Sequence, residues 1–341
     1  MGVLRSIRAM CDPRLPLRAV NASIATQPSQ ASTIMSNRFD VIGDVHGEFD
    51  KLVELLQHLG YHESSRNWRH PDRTAIFVGD LIDRGPKQLA TVALVRGMVE
   101  AGAAQCILGN HELNAVAWVT PDPERPGKFL RDHHKPGNRE QHQEFLDVVE
   151  GTPRQKEITD WFRTLPLWLD LLGLRVVHAC WHEESMEVLR PVLSENHTLT
   201  DEAVRLGSQP GNSIFEALEI VCKGPELALP PGLSFPDKEG KIRHDVRVRW
   251  WLPEAKTFRE AAIVPPGREG LIPDVPLPAE WKGHPYSGPP VIFGHYWFSG
   301  KPAVISSQFA CLDYSVAKQG PLMAYRWDGE TELADDKLAW V

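Results

Sequence analysis

Phe39-Asp40-Val41-Ile42-Gly43-Asp44-Val45-His46-Gly47 is a short apolar run that closes on an acid and a histidine. Behind it, Phe49, Leu52, Val53, Leu56 and Leu59 recur at helical spacing. Strand, turn, helix is the natural parse. The unit repeats: Thr74-Ala75-Ile76-Phe77-Val78 leads into Gly79-Asp80, and Leu89, Val92, Ala93, Val95 and Val99 mark a second amphipathic helix. A third run, Gln105-Cys106-Ile107-Leu108, stops at Gly109-Asn110-His111. Leu174-Arg175-Val176-Val177 stops at His178, and Pro290-Val291-Ile292-Phe293 stops at Gly294-His295. The alternation predicts an α/β fold with polar residues gathered beyond the strands' carboxyl ends, where open α/β sheets hold their ligands. Ala310–Tyr314 and Leu322–Trp327 read as further strands.

The residues at these exits are hard oxygen and borderline nitrogen donors: Asp44, His46, Asp80, Asn110, His111, His178 and His295. Such a set suits Mn, Fe or Zn rather than copper, whose sites favour thiolate or thioether. If one carboxylate bridges two ions, they stand roughly 3.5 to 4 Å apart and hold a nucleophilic oxygen between them. A lone histidine at a strand end is more often a hydrogen-bonded core residue, so it is the ordered set that carries weight.

In order, Gly43-Asp44-Val45-His46-Gly47, Gly79-Asp80-Leu81-Ile82-Asp83-Arg84-Gly85, Gly109-Asn110-His111-Glu112, His178-Ala179 and Gly294-His295 resemble the motif series of the calcineurin-like metallophosphoesterases, in the branch that contains the phosphoprotein phosphatases. The resemblance spans about Phe39 to the C-terminus. It implies the metallophosphoesterase fold, a central β-sandwich flanked by helices with the metal site at strand C-terminal ends. It also implies two divalent ions, manganese favoured over iron or zinc. Asp44 and His46 would hold the first ion, Asp80 would bridge, and Asn110, His178 and His295 would hold the second. His111 would protonate the leaving group, Asp83 would orient it, and Arg84 would clamp phosphoryl oxygens. The implied reaction is direct attack of a metal-bridging hydroxide on a phosphomonoester, carried by a phosphoprotein or a small molecule.

The chain departs from that pattern in places. Phosphoprotein phosphatases usually carry an arginine before Gly-Asn-His, where this chain has Leu108. The segment Ile107–Leu113 is in that respect more similar to symmetrical dinucleoside tetraphosphate hydrolases and bacterial RNA-repair phosphatases, although those commonly have Asp in place of Glu112. Cys180 stands where a glycine is usual. Arg249, with Arg247 beside it, is a candidate replacement for the missing phosphate contact, against the reading of a strand with snorkelling arginines. Trp250, Trp251, Trp281 and Tyr296-Trp297-Phe298 are candidates to stack a nucleobase, or else finish a core. A symmetrical dinucleoside tetraphosphate hydrolase is therefore the alternative function. A non-catalytic binding module is the third reading, and it is opposed by the six ligand positions, none of which is replaced.

Composition bounds the rest. The 341 residues with formal net charge −8 give no general attraction to nucleic acid or to an anionic membrane surface. The expected partner is instead a phosphorylated protein, nucleotide or small molecule. Cys11, Cys106, Cys180, Cys222 and Cys311 are odd in number and scattered, which fits a reducing cytoplasm better than a disulfide framework. The most apolar stretch, Leu165–Trp181, is broken by Asp170, Arg175 and His178, and no membrane span is expected. Residues 1–36 carry Arg5, Arg8, Arg14 and Arg18 against one acid, Asp12. They are faintly similar in composition to an organellar transit peptide, and we read them as a disordered extension or as lying upstream of a true start at Met35. Residues 37–341 are then the catalytic domain, with a Pro-rich insertion around 224–290 and a surface excursion at Pro121–Asn138. His133, His134 and His142 fall in or near that excursion without an accompanying carboxylate or thiolate, and are expected on a solvated loop.

Overall fold

The structure, a computed structural model, describes residues 38–341 apart from 65–66, 237–239, 241, 265–266, 280, 282 and 284. The expectations for residues 1–36, including Cys11, lie outside the described residues. Phe39–Ile42 pairs in parallel with Thr74–Phe77, which pairs in parallel with Ala104–Cys106. On its other side Phe39–Ile42 runs antiparallel to Met323–Trp327, itself antiparallel to Leu338–Trp340. A second sheet runs in the order Phe309–Cys311, Val291–Phe293, Leu174–Val177, Trp168–Leu171, parallel except for its last pair.

Side chains alternate across a strand, and here both faces are apolar. Phe39, Val41, Ile76, Val78, Met323, Tyr325 and Trp327 of the first sheet bury against Leu174, Val176, Ile292, Ala310 and Leu312 of the second. The intervening residues, among them Ile42, Phe77, Cys106, Val177, Val291 and Phe293, join the larger core built with the helices. This is a two-sheet sandwich with helices outside it, the metallophosphoesterase fold. The Phe49–Leu59 helix lays Leu52, Leu55, Leu56 and Leu59 on the core and ends at Gly60, whose φ of 93° is the left-handed cap that glycine adopts freely.

The parallel register decides where chemistry can gather. Ile42 lies opposite Phe77, and Phe77 opposite Cys106, so the turns after all three strands emerge on one edge. In the second sheet, the Gly294 N–H donates to the His178 carbonyl at 2.9 Å, which brings the two later exits together. No helix among the described residues is long and apolar enough to cross a membrane.

The Pro-rich insertion is more ordered than its punctuation suggests. Glu226–Ala228 pairs with Asp245–Arg247, and Phe235–Pro236 with Ile242–Arg243. A one-turn helix, Phe258–Ala261, carries a capping box between Thr257 and Glu260. Leu229, Phe235, Val246, Val248, Phe258 and Ile272 form a small core of their own. Paired segments of two or three residues fall below the length at which alternation can be read, so the sequence pattern hides them. Trp250 and Trp251 anchor this lobe to the sandwich: both are buried, they pack on Phe293, and Trp250 Nε1 donates to the Ala179 carbonyl at 3.0 Å.

Trp250→Ala removes a fully buried ring and leaves the Ala179 carbonyl without its donor. We expect a loss of about 3 to 5 kcal/mol, measured by urea denaturation; a loss below ~1 kcal/mol contradicts the anchoring role.

Candidate metal centre

Asp44, His46, Asp80, Asn110, His178 and His295 meet at the shared strand edge, each no more than 9 % exposed. His46 Nδ1 donates to the Ile82 carbonyl at 2.9 Å, and His178 Nδ1 to the Val78 carbonyl at 2.7 Å. A backbone acceptor on Nδ1 fixes each ring and turns Nε2 inward, as a lone pair on neutral His46 and as a proton to be shed on His178. His46 Nε2 lies 3.7 Å from Asp80 Oδ2, while His178 Nε2 lies 3.4 Å from Asp80 Oδ1 and 3.0 Å from Asn110 Oδ1. The Asn110 oxygen is also 2.8 Å from His295 Nδ1. Asp80 thus presents one oxygen to each half of the site. Asp44 completes the wall by accepting the His295 backbone N–H at 3.1 and 3.3 Å on its two oxygens.

The local backbone is strained toward this arrangement. Nine non-glycine residues among those described have positive φ, and His46, Asp80, Asp83, Arg84 and His295 are five of them. Each such conformation costs of order 1 to 3 kcal/mol, so five at one site mean that the surrounding structure over-determines them. Gly294 is required for a different reason, since a Cβ there would overlap Asp44 Oδ1. Glu112 holds the turn after the second strand against the start of the Asn110–Val119 helix. Its Oε2 accepts from the Asp80 and Gly109 N–H groups at 2.8 and 3.0 Å, and Oε1 from Leu81 at 2.8 Å.

Charge inside the pocket is unbalanced. Burial, then repulsion from Asp313 and Asp80, raises the Asp44 pKa well above the carboxylate range. Burial and the neighbouring Asp80 likewise push Glu112 up to about 7. His178 is raised to about 10, because Asp80 and Asp44 overcome the effect of burial. Burial and the Arg84 guanidinium lower His46 to about 3, and burial with Arg247 lowers His295 well below its usual value. Two neutral imidazoles and a cluster of crowded carboxylates are what a divalent cation asks of its ligands. His46, Asp80 and His111, and separately Asp80, His178 and His295, each offer ligand atoms within 4.8 Å of one another.

Around the donors stand the groups expected to handle phosphate and protons. His111 Nδ1 donates to Asp83 Oδ2 at 2.5 Å. Burial would lower His111, but Asp80 and the Asp83 bond outweigh it and raise its pKa. Arg84 rests one guanidinium nitrogen 2.8 Å from His46 Nε2 and another 3.4 Å from His111 Nε2.

Four expectations need correction or filling. Arg247 reaches the site, with Nη1 3.1 Å from His295 Nε2 and Nη2 2.7 Å from Glu226 Oε1. His142 is not on a solvated loop: it is 1 % exposed, and its Nδ1 lies 2.6 Å from Asp83 Oδ2. His133 is stacked between Trp118 and Phe129, with centroids 3.8 and 4.4 Å away, and only His134 is exposed. Asp313 was missed because Ala310–Tyr314 reads as strand, whereas the strand ends at Cys311. That leaves Asp313 on the same edge as the other acids, accepting from Trp297 and Ser315 N–H at 2.6 and 2.9 Å. Of the aromatic candidates, Trp250, Trp251 and Tyr296 finish the core, and Trp281 packs on the insertion's own core. Trp297 and Phe298 are half-buried beyond His295.

The calcineurin-like phosphoesterase family model matches residues 37–206, about half of the chain. The chain belongs to that family. An asymmetrical bis(5'-nucleosyl)-tetraphosphatase PrpE of Oceanobacillus iheyensis is 43% identical over 143 residues, 42% of this chain and 55% of that protein. The PrpE of Halalkalibacterium halodurans is 49% identical over 75 residues, 22% of this chain and 30% of that one. A symmetrical bis(5'-nucleosyl)-tetraphosphatase of Vibrio cholerae is 30% identical over 139 residues, 41% and 43% of the two chains. The chain thus spans between 30% and 55% of the length of these relatives. A serine/threonine phosphatase structure from Saccharomyces cerevisiae superposes with a TM-score of 0.47 at 13% identity, covering 91% of this chain and 80% of that one.

Ligands bind a cation only when deprotonated, so if His178 is a ligand, uptake displaces the proton it holds. Because His178 keeps its proton up to about pH 10, affinity should climb as pH rises toward that value. Titrating Mn²⁺ into metal-free protein near pH 7, in buffers of different ionisation enthalpy, should register net proton release. An affinity that does not change between pH 6 and pH 8 contradicts this electrostatic picture.

Proposed function

We propose that this chain is a phosphohydrolase that works with two divalent metal ions, and that Asp44, His46 and Asp80 hold one ion while Asp80, Asn110, His178 and His295 hold the other. The observation that carries the reading is the pair of histidines, His46 and His178, whose Nδ1 atoms are committed to backbone carbonyls while both Nε2 atoms face Asp80. Such ions polarise a phosphoryl oxygen and make water a nucleophile near neutral pH.

The protein's own groups do the rest. Arg84 rests against the His46 Nε2 lone pair, which it cannot share with a cation, so loading the site releases its planar fork for two phosphoryl oxygens. Arg247 contacts His295 at Nε2, the ring nitrogen away from Asn110, and so reaches the site without covering His295 Nδ1. His111, backed by Asp83, gives its Nε2 proton to the departing oxygen, and the Asp83 carboxylate stabilises the charge and orientation of the ring. Burial of the pocket strengthens each of these interactions.

The first substrate reading is a phosphomonoester on a protein or small molecule. The second, a dinucleoside polyphosphate, is favoured by two observations. The sequence relatives carry that activity in their names, and half-buried Trp297, two residues past His295, has its backbone fixed by Asp313, which suits a ring that stacks a base.

With Mn²⁺ present, wild-type protein should hydrolyse at least one of a phosphopeptide, diadenosine tetraphosphate and an aryl phosphate, and the ratios of kcat/KM assign the class. No turnover on any of the three contradicts the phosphohydrolase reading. His111→Ala should keep its metal and lose about 10² to 10⁴ in turnover; unchanged turnover removes His111 from the reaction. Asp80→Asn should weaken both metals together, and full two-metal occupancy in that variant refutes the bridge.

A further inference from the structure

His142 has no role in the chemistry above, yet it is built into it. It forms the turn between the Asn138–Gln141 and Gln143–Val149 helices. Its Nδ1 is 2.6 Å from Asp83 Oδ2, the same oxygen that accepts the His111 Nδ1–H at 2.5 Å. The two rings stand edge to face, 6.0 Å apart at 82°. Trp118 closes the far side of His142, with ring centroids 6.3 Å apart at 64°.

Asp83 depends on these two rings. Its backbone N–H is fixed by Gln88 Oε1 at 2.7 Å, but Oδ1 is buried with no hydrogen-bond partner among the described residues, and His142 Nδ1 approaches Oδ2 at 2.6 Å off the hydrogen-bond line, so that a small turn of either group would align them. The carboxylate is therefore held at its tip through Oδ2 alone. A carboxylate with a single imidazole partner can swing about its last torsion, which is broad and soft. A second imidazole on the same oxygen removes that freedom. Burial holds His142 below its usual pKa against the pull of Asp83, so a neutral ring stands 2.6 Å from Oδ2 and leaves Asp83 free to pair with charge on His111.

The chain delivers this ring through the Pro- and Gly-rich excursion after the third strand. Arg131 donates to Asn114 Oδ1 at 2.7 Å and to Gln141 Oε1 at 2.6 Å, tying the excursion to the Asn110–Val119 helix and to the residue before His142. His133, held between Trp118 and Phe129, donates its Nε2–H to the Trp118 carbonyl, 2.9 Å away. The excursion is thus packed behind the His111–Asp83 pair.

We propose that His142 is a positioning residue for proton donation: by sharing Asp83 Oδ2 with His111, it fixes the carboxylate and so aims His111 Nε2 at the leaving oxygen. The proposal rests on the reading of His111 as the proton donor. A small error in that aim is costly, because general-acid catalysis requires the donor within hydrogen-bond reach of its target.

The test compares His142→Phe, which keeps the ring's bulk without an N–H, with His142→Asn, whose side-chain N–H falls near the place of Nδ1. The substrates are phenyl phosphate, whose leaving group needs a proton, and 2,4-dinitrophenyl phosphate, whose leaving group does not. His142→Phe should lower kcat on phenyl phosphate by about 10- to 100-fold, the scale for losing a partner one shell out. KM, metal content and dinitrophenyl turnover should stay near wild type, and His142→Asn should recover most of the loss. In the metal-free protein, proton NMR should show the downfield His111 Nδ1–H signal in wild type and His142→Asn, and lose or shift it in His142→Phe.

Equal losses on both substrates, no loss on either, or the departure of a metal ion from His142→Phe overturns the proposal; the last result would make Asp83, His111 and His142 a ligand set instead. If His142→Phe does not fold, His142→Gln, which moves the N–H away from the Nδ1 position, takes its place with the same expected results. A wild-type protein that hydrolyses neither ester refutes the aryl phosphomonoester reading and leaves the phosphohydrolase reading to the phosphopeptide and diadenosine tetraphosphate assays, and the NMR comparison then decides the His142 contact by itself, an unchanged signal overturning it.

Discussion

Asp80, Asp44 and Asp313 bury three carboxylates at one edge of a two-sheet sandwich, where water cannot screen them. Mutual repulsion in a low-dielectric setting is expensive, and it raises the pKa of Asp44 while holding a proton on His178. The rest of the site follows from that constraint. Backbone carbonyls from Ile82 and Val78 set the ring orientations, Glu112 gathers three N–H groups to hold the turns, and five left-handed backbones aim the side chains inward. A fold that spends stability on strain and crowded charge stores it as affinity for cations.

Much of this was legible from the sequence because the informative residues lie where apolar strands end. The runs that stop at Asp44, Asp80, Asn110, His178 and His295 are short, buried on both faces and followed by helices or turns, and the parallel register carries their exits to one edge. The resemblance implied a sandwich, but which strands share a sheet came only with the structure, since periodicity does not distinguish one buried strand's neighbours from another's. The Leu338–Trp340 strand escaped notice because it is a partly exposed edge with a single paired neighbour.

The other misses share a cause. His142 is buried by contact with Asp83 and Trp118, both remote in the chain, and its own neighbours Gln141 and Gln143 are polar, so nothing local marks it as buried. Arg247 and Arg249 are indistinguishable by composition, and only the pairing of Asp245–Arg247 with Glu226–Ala228 sets the first of them over His295. The Pro-rich lobe and the excursion thus matter as much as the sandwich. On the proposed reading the sandwich supplies the metal donors, while the two irregular segments bring in Arg247 and His142, which lie outside both sheets of the sandwich.

The central claim is that six side chains from five strand exits grip a pair of cations. The most direct measurement is an anomalous-scattering map from a crystal soaked in Mn²⁺. Two peaks roughly 3.5 to 4 Å apart are predicted, one touching Asp44 and His46, the other touching Asn110, His178 and His295, with Asp80 reaching both. A single peak, or manganese bound elsewhere with these six side chains untouched, would contradict the account.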